Sequence, residues 1–261
     1  MEVCAQGRKT MPELIRLECV DSTNTYLKKL AQEGAADGMV VVASRQSVGR
    51  GRTGNSFSSE EGGLYLSMLM RTEHLALADV TGITSKTAVE TVRALFGAYG
   101  ICAEVKWVND IILNQKKLGG ILVEAGRLSA GGQIPWVIVG VGINVNQRDF
   151  PEEIRNKASS LLMETGFPWE TDALMIALID RLNFLRENLA SPEEAAAYLE
   201  EYRGICATIG RELTFVRDGA LKSCRALGVD DSYGLIVQYP DSAVEVLRSG
   251  EISVRGIAGY V

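Results

Sequence analysis

Between residues 103 and 145 four strand-like runs crowd together: AEVKW at 103–107, DIILN at 110–114, LGGILVEAG at 118–126 and PWVIVGVGINV at 135–145. So little chain separates the first three that a tight turn, such as NQKK at 114–117, has to join them. Three more runs precede this block. ELIRLECV at 13–20 reads as a strand, MVVVAS at 39–44 as a buried strand, and LYLSMLM at 64–70 as the strand after it. Helical patterns lie between and beyond. DSTN at 21–24 opens a helix to about Gln32, with Gly34 at the C-terminal cap position. Residues 76–99 carry the long apolar period of one core helix, and two further patterns cover 170–189 and 192–203. This is an α+β chain.

After Gly204 the texture changes. ELTFV at 212–216, LKSCRALGV at 221–229, GLIVQY at 234–239 and VEVL at 244–247 are short strands separated by DG, DDSYG and PDS turns. That spacing predicts a small β-barrel, so the chain divides into residues 1–207 and a second domain at 208–261.

Composition narrows the chemistry. The net charge of −6 speaks against a general nucleic-acid binder, which shows a basic face. Cys4, Cys19, Cys102, Cys206 and Cys224 form no CxxC pair, which suits neither a zinc site nor a disulfide framework and fits a reducing cytosol. No apolar leader segment opens the sequence and no run reaches the length of a membrane span. His74, read as a surface-loop residue, is the whole imidazole supply. Ser-His-Asp catalysis and multi-histidine metal sites are therefore disfavoured, leaving lysine, arginine, carboxylates and backbone groups.

Against that background GRGRTG at 49–54 is conspicuous. Glycine frees the backbone to bend and approach closely, and arginine brings a flat fork of donors suited to carboxylate or phosphate. A nucleotide cradle, a nucleic-acid arm and a plain hairpin are the three readings; the loop lacks the GK[ST] of a P-loop and is followed by a strand rather than a helix. A second candidate is KWVND at 106–110 with KLGGILVE at 117–124. Gly119 and Gly120 interrupt an apolar strand, as glycines do where a ligand or backbone comes close, and Lys117 places a mobile cation beside them. DSTN is sufficient as an N-cap, although a helix N-terminus also offers free N–H groups. Asn144 ends the apolar run GVGINV, where it either turns the chain or meets a ligand. The charges at 192–203 read as a solvated helix face.

Taken in order, DSTN, Q-x-x-G-R-G-R-x-G, GGLY-x-S, KW-x-ND, KLGGILVE, GVGINV and GEISVR at 250–255 resemble the biotin protein ligases, also called biotin–[acetyl-CoA-carboxylase] ligases. The likeness runs from about residue 14 to 256. It implies a mixed β-sheet catalytic domain with packed helices, of the class II synthetase type, followed by an SH3-like barrel. It also implies ATP-dependent activation of biotin as biotinyl-5′-AMP, then transfer to a lysine of a biotin carboxyl carrier protein.

By the same resemblance, Lys117, Arg50, Arg52 and Asp110 are the catalytic candidates. Lys117 meets the biotin carboxylate and α-phosphate, Arg52 the carboxylate and Arg50 phosphate. Asp110 either assists Mg²⁺ travelling with ATP or takes the proton of the incoming amine. Ser22, Thr23, Asn24, Gln46, Gly51, Gly119 and Gly120 join them around biotin. Phe57, Trp107, Asn109, Asn144 and Arg255 are assigned to the nucleotide, with Phe57 and Trp107 as walls and Asn144 at the adenine edge. The loop is expected to close over the adenylate.

Phe57 stands where many relatives have tryptophan, and Asn55 where arginine is common. Only twenty residues precede Asp21, too few for the DNA-binding domain that some relatives carry, so no DNA partner is expected. A cytoplasmic, membrane-free enzyme is implied, with a homodimer through sheet edges as a further expectation. The rival readings are a lipoate or octanoate ligase of the same fold and a non-catalytic biotin-sensing regulator.

Overall fold

A computed structural model of the chain describes residues 13–80, 82–217, 219–248, 255–256 and 260. The described chain enters on β1 (Leu14–Val20), turns into α1 (Thr23–Gln32) and returns on β2 (Val40–Gln46). After a 3-10 turn at Arg52–Gly54 it runs through β3 (Gly63–Arg71), then α2 (Leu77–Val80) and α3 (Ile83–Tyr99). The crowded block becomes β4 (Glu104–Lys106), β5 (Asp110–Leu113), β6 (Lys116–Ala125) and β7 (Trp136–Asn144). Helices α4 (Glu152–Arg155), α5 (Leu161–Thr165), α6 (Thr171–Glu187) and α7 (Pro192–Ile205) follow. The remainder is β8 (Glu212–Arg217), β9 (Ala220–Val229), β10 (Leu235–Gln238), β11 (Val244–Leu247) and β12 (Arg255–Gly256).

Among the described residues, seven strands form one mixed sheet in the order β1-β2-β3-β7-β6-β5-β4, parallel only between β1 and β2. The near-continuous apolar runs of β3 and β7 lie at its centre because both of their faces are covered. Side chains alternate between faces with a period of two. Val40, Leu66, Met68, Val139 and Val141 face α3, α6 and α7, within the larger core cluster. Val41, Leu69, Trp136 and Ile138 face the other way and are capped by Leu27 and Ala31 of α1. Each fully buried leucine there, such as Leu27, contributes about 1.5–3 kcal/mol.

The expected single helix over 76–99 is two. Gly82 stands between α2 and α3 with φ +75, and the Tyr233 ring lies 2.3 Å from where a Cβ would sit. That left-handed φ interrupts the helical geometry, and the ring leaves room there only for glycine. The short helices α4 and α5 were not expected, because four or five residues are too few to show a period.

The later strands form an antiparallel sheet in the order β11-β10-β9-β8-β12. It is bonded to the first through the chain leaving α7. Val105 bridges Cys206, and Ala207 N–H donates to Val105 O at 2.9 Å. The Trp107 N–H donates to Thr208 Oγ1 at 2.9 Å, its indole N–H to Tyr233 O at 2.9 Å. The Tyr202 and Tyr233 rings pack edge-on at 5.4 Å. Among the described residues no helix is long and apolar enough to cross a membrane. The segment before residue 13 and residues 250–254 of GEISVR lie outside the described residues.

Candidate functional site

The face of the central sheet that α1 covers changes character along its length. Beneath the helix, Leu69, Ile138 and Trp136 fill the layer. One register step further, Ser67 pairs with Gly140 and Gly140 with Leu122. In the next row Tyr65, Gly142, Gly120 and Asp110 follow one another across β3, β7, β6 and β5. Small residues in these rows leave a hollow of about 150 Å³ at the N-terminal end of α1. Its lining includes Gly120, Gly140, Gly142 and Leu122 as floor, Tyr65 and Phe57 as apolar wall, and Arg50, Gly51 and Arg52 above.

One end of the hollow is polar and neutral. Ser22, Thr23 and Asn24, at the start of α1, are all buried and line it. DSTN is sufficient as an N-cap, and Ser22 stands at the cap position, but it makes no side-chain cap bond. Gln46 does that work from β2. Its Oε1 accepts from the Thr23 backbone N–H at 2.8 Å and from Thr23 Oγ1 at 3.1 Å, while Nε2 donates to Ser59 Oγ at 2.8 Å. Ser67 Oγ lies 2.7 Å from Thr23 Oγ1 and 2.6 Å from Asn24 Oδ1. Asn24 Nδ2 donates to Leu122 O at 3.2 Å and Glu124 Oε2 at 3.1 Å. Gly140 makes room for this asparagine, since a Cβ there would sit 2.2 Å from Asn24 Oδ1. These groups are fixed before any ligand arrives, which removes the entropy of ordering them from the cost of binding.

The other end is cationic. GRGRTG folds back as a narrow hairpin in which Arg50 bridges Ser56, Gly51 N–H donates to Asn55 O at 2.7 Å, and Phe57 N–H donates to Gly49 O at 2.9 Å. Arg52 Nη1 donates to Asn109 Oδ1 at 2.9 Å. Burial pulls the Arg52 guanidinium below its ordinary value, opposed by Asp110 and Tyr202, so its charge acts in a partly dry setting. Arg50 pairs with Glu124 at 3.1 Å. Lys117 reaches in from β6, with Nζ 2.6 Å from Asp110 Oδ1 and 5.8 Å from the Phe57 ring centroid. Three cations from two distant segments thus converge on one hollow with a fixed neutral end. The arrangement suits an acid with a polar, uncharged head.

Most of the sequence candidates meet here: Ser22, Thr23, Asn24, Gln46, Arg50, Gly51, Arg52, Phe57, Asn109, Asp110, Lys117 and Gly120 all line the hollow. Three do not. Gly119 faces away, and a Cβ on it would lie 2.4 Å from Gly142 O, so close strand packing is what requires this glycine. Trp107 is buried with its indole N–H donating to Tyr233 O, and does not line the hollow. Asn144 is buried one row beyond Gly142 on the same face, outside the hollow, where Nδ2 donates to Ser159 O at 3.0 Å. Arg255 is described only as backbone, paired with Thr214 in the second sheet. Of the bland readings, His74 is exposed in a turn, whereas α7 is more than a solvated face: Glu201 binds Arg93, and Tyr198 and Tyr202 are buried.

Sequence reasoning missed Tyr65, Leu122, Gly140 and Gly142 in the lining, and Ser67 and Glu124 behind it. The spacing of Gly140 and Gly142 was an available signal, because two glycines two apart in a strand bare one face.

Residues 17–144, which carry every lining side chain, match the Biotin/lipoate A/B protein ligase family. The chain is 33% identical over 246 residues to the biotin–[acetyl-CoA-carboxylase] ligase of Paracoccus denitrificans, covering 90% of this chain and 98% of that one. The chain belongs to the biotin/lipoate A/B protein ligase family. A second family member, the bifunctional ligase/repressor BirA of Bacillus subtilis, is 38% identical over 156 residues, and the match spans 59% of this chain and about half, 47%, of BirA. The structure is similar to the biotin protein ligase of Aquifex aeolicus solved with biotin and ATP. There the TM-score is 0.80 at 29% identity, over 94% of this chain and 99% of that one.

Proposed function

We propose that this family member is an ATP-dependent ligase that activates biotin as biotinyl-5′-AMP and transfers it to a lysine of a biotin carboxyl carrier domain. The observation that carries this reading is the convergence of Lys117, Arg50 and Arg52 on a hollow whose far end is a fixed neutral polar pocket. Biotin presents the complementary shape: a ureido ring with donors and acceptors, an apolar body and a carboxylate. The Aquifex aeolicus relative was solved with biotin and ATP, which supports the same assignment.

In this reading the ureido group meets Ser22, Thr23, Asn24 and Gln46, and the ring lies on bare backbone at Gly120 and Gly142. The carboxylate points at Lys117 and Arg52. Its oxygen attacks the α-phosphorus of ATP, a C–O–P linkage forms, and pyrophosphate leaves with the electrons of the broken P–O bond. Two anions meet in that step. A unit charge pair at about 4 Å is worth roughly 4 kcal/mol at an effective dielectric near 20, so Lys117 and the arginines lower the barrier by holding the negative charge. The carrier amine then displaces AMP, forming the amide and losing a proton, for which Asp110 is the candidate acceptor in this reading.

Among the described residues no three His, Cys, Asp or Glu side chains group to hold a metal. Mg²⁺ takes one or two carboxylates together with substrate phosphates, so a lone Asp110 fits an ion that arrives on the nucleotide. That ion, when bound, supplies charge neutralisation at the phosphates.

We read 1–207 as the catalytic domain and 208–261 as an SH3-like domain, in a cytoplasmic protein; β1, the edge strand of the first sheet among the described residues, is the candidate for a homodimer contact. The test is incubation with ATP, biotin and a biotin carboxyl carrier domain, followed by intact mass. A gain of one biotinyl group on the carrier is expected. An unmodified carrier, or preferential transfer of lipoate, sinks the proposal.

A further inference from the structure

The carboxylate of Asp110 is held from both sides. Oδ1 takes Lys117 Nζ at 2.6 Å, and Oδ2 takes the phenol O–H of Tyr260 at 2.5 Å. Tyr260 lies beyond β12 and so reaches the first sheet from the second. Its ring is seated as well as its hydroxyl. Lys106 Nζ stands 3.8 Å from the ring centroid, and Lys106 is the residue that pairs with Asp110 across β4 and β5. Burial and the neighbouring Asp110 push the phenol well above its usual value, so it stays protonated and keeps the O–H that it donates to Asp110.

This geometry explains something that Lys117 alone does not. A lysine on four methylenes is a mobile charge, and its partner carboxylate can rotate about its last bond. With the second oxygen anchored by a buried phenol, rotation is blocked, and the carboxylate presents a fixed oxygen to the ammonium. Hydrogen bonds to a charged acceptor are the strong kind.

We propose that Tyr260 is a positioning residue for the active site: its phenol clamps Asp110, and through Asp110 it fixes the Lys117 ammonium where the carboxylate and α-phosphate meet. This rests on the ligase reading above. The second sheet therefore contributes to the chemistry of the first through one side chain.

Tyr260→Phe keeps the ring over Lys106 and removes only the O–H. Expected is a fall of about tenfold in kcat for adenylate formation, measured by pyrophosphate release, with KM for biotin within about twofold of the parent, since one charge-assisted bond is lost. In an Asp110→Asn background the same change is expected to alter the remaining rate by less than about twofold, because coupled residues are not additive. Parental kcat in Tyr260→Phe, or full additivity in the double variant, overturns the proposal. A readout without turnover separates this from failure of the ligase reading. In a chain carrying ¹³C-carboxyl aspartate, the Asp110 signal, assigned by its loss in Asp110→Asn, is expected to shift in Tyr260→Phe. A stationary signal overturns the contact, whatever the enzyme does with biotin.

Discussion

Two halves of one sheet face differ in almost nothing but side-chain size. Under α1, Leu69, Trp136 and Ile138 meet Leu27 and Ala31, and the layer is closed. One step along the same strands, Ser67, Gly140 and Gly142 take their places, and the layer is a hollow lined by Arg50, Arg52 and Lys117. Strand register, hydrogen bonding and parity are common to both. The difference teaches that in this fold a binding site is made by withholding volume from the core, and charge is then delivered to the gap by neighbouring segments.

The sharpest way to break that comparison is to remove the charge and leave the volume. Lys117→Ala is expected to slow adenylate formation by on the order of 10³-fold, the rate equivalent of roughly 4 kcal/mol, while biotin still binds and Tm stays close to the parent's. Single-turnover kinetics beside calorimetric biotin binding checks it; a near-normal rate refutes the role.

On the closed half the opposite is expected. Leu69→Ala, at a fully buried position, should cost about 2–5 kcal/mol in chemical denaturation and leave KM for biotin unchanged. A changed KM with little loss of stability would mean that the two halves are not separate.

The neighbouring glycines test the boundary itself. A methyl at Gly119 would press on Gly142 O, so Gly119→Ala should lose about 1–3 kcal/mol of stability. At Gly120 the nearest atoms, Asp110 Oδ1 and the end of Lys117, are 3.5 Å away. Gly120→Ala should fold with a Tm near the parent's, yet bind biotin more weakly by tenfold or more, because the methyl projects into the hollow. Equal Tm losses in the two variants would contradict the assignment of opposite faces. The smallest effect is expected at the rim. Glu124→Gln loosens an Arg50 that is nearly half exposed, so stability should change by less than about 1 kcal/mol and KM for biotin by a few-fold.

Much of this was legible in the residues. Charged and glycine residues that break apolar runs, as at 49–54 and 106–120, stand out against a β pattern and proved to be neighbours in space. The strands themselves announced their places through apolar runs bounded by turns. What failed did so for local or long-range reasons. That Lys117 shares a face with Gly120 rather than Gly119 depends on a register shift between Ile111 and Ile112, which no composition rule shows. The fate of Trp107 was decided by Tyr233, 126 positions away, and the same tyrosine's ring is what restricts position 82 to glycine. Gln46 capping a helix from a strand is likewise invisible in one dimension, since the pairing needs the parallel neighbours β1 and β2 to exist first.

The doubly bonded indole at position 107 has a mechanical corollary. Its main-chain and ring N–H groups grip Thr208 and Tyr233, and Asn109 and Asp110 lie two and three residues further on. A tug on the second sheet is therefore delivered to the head of β5 by a stiff lever rather than absorbed by slack chain. Whatever displaces the second sheet is felt at the mouth of the hollow, where Asn109 and Asp110 stand.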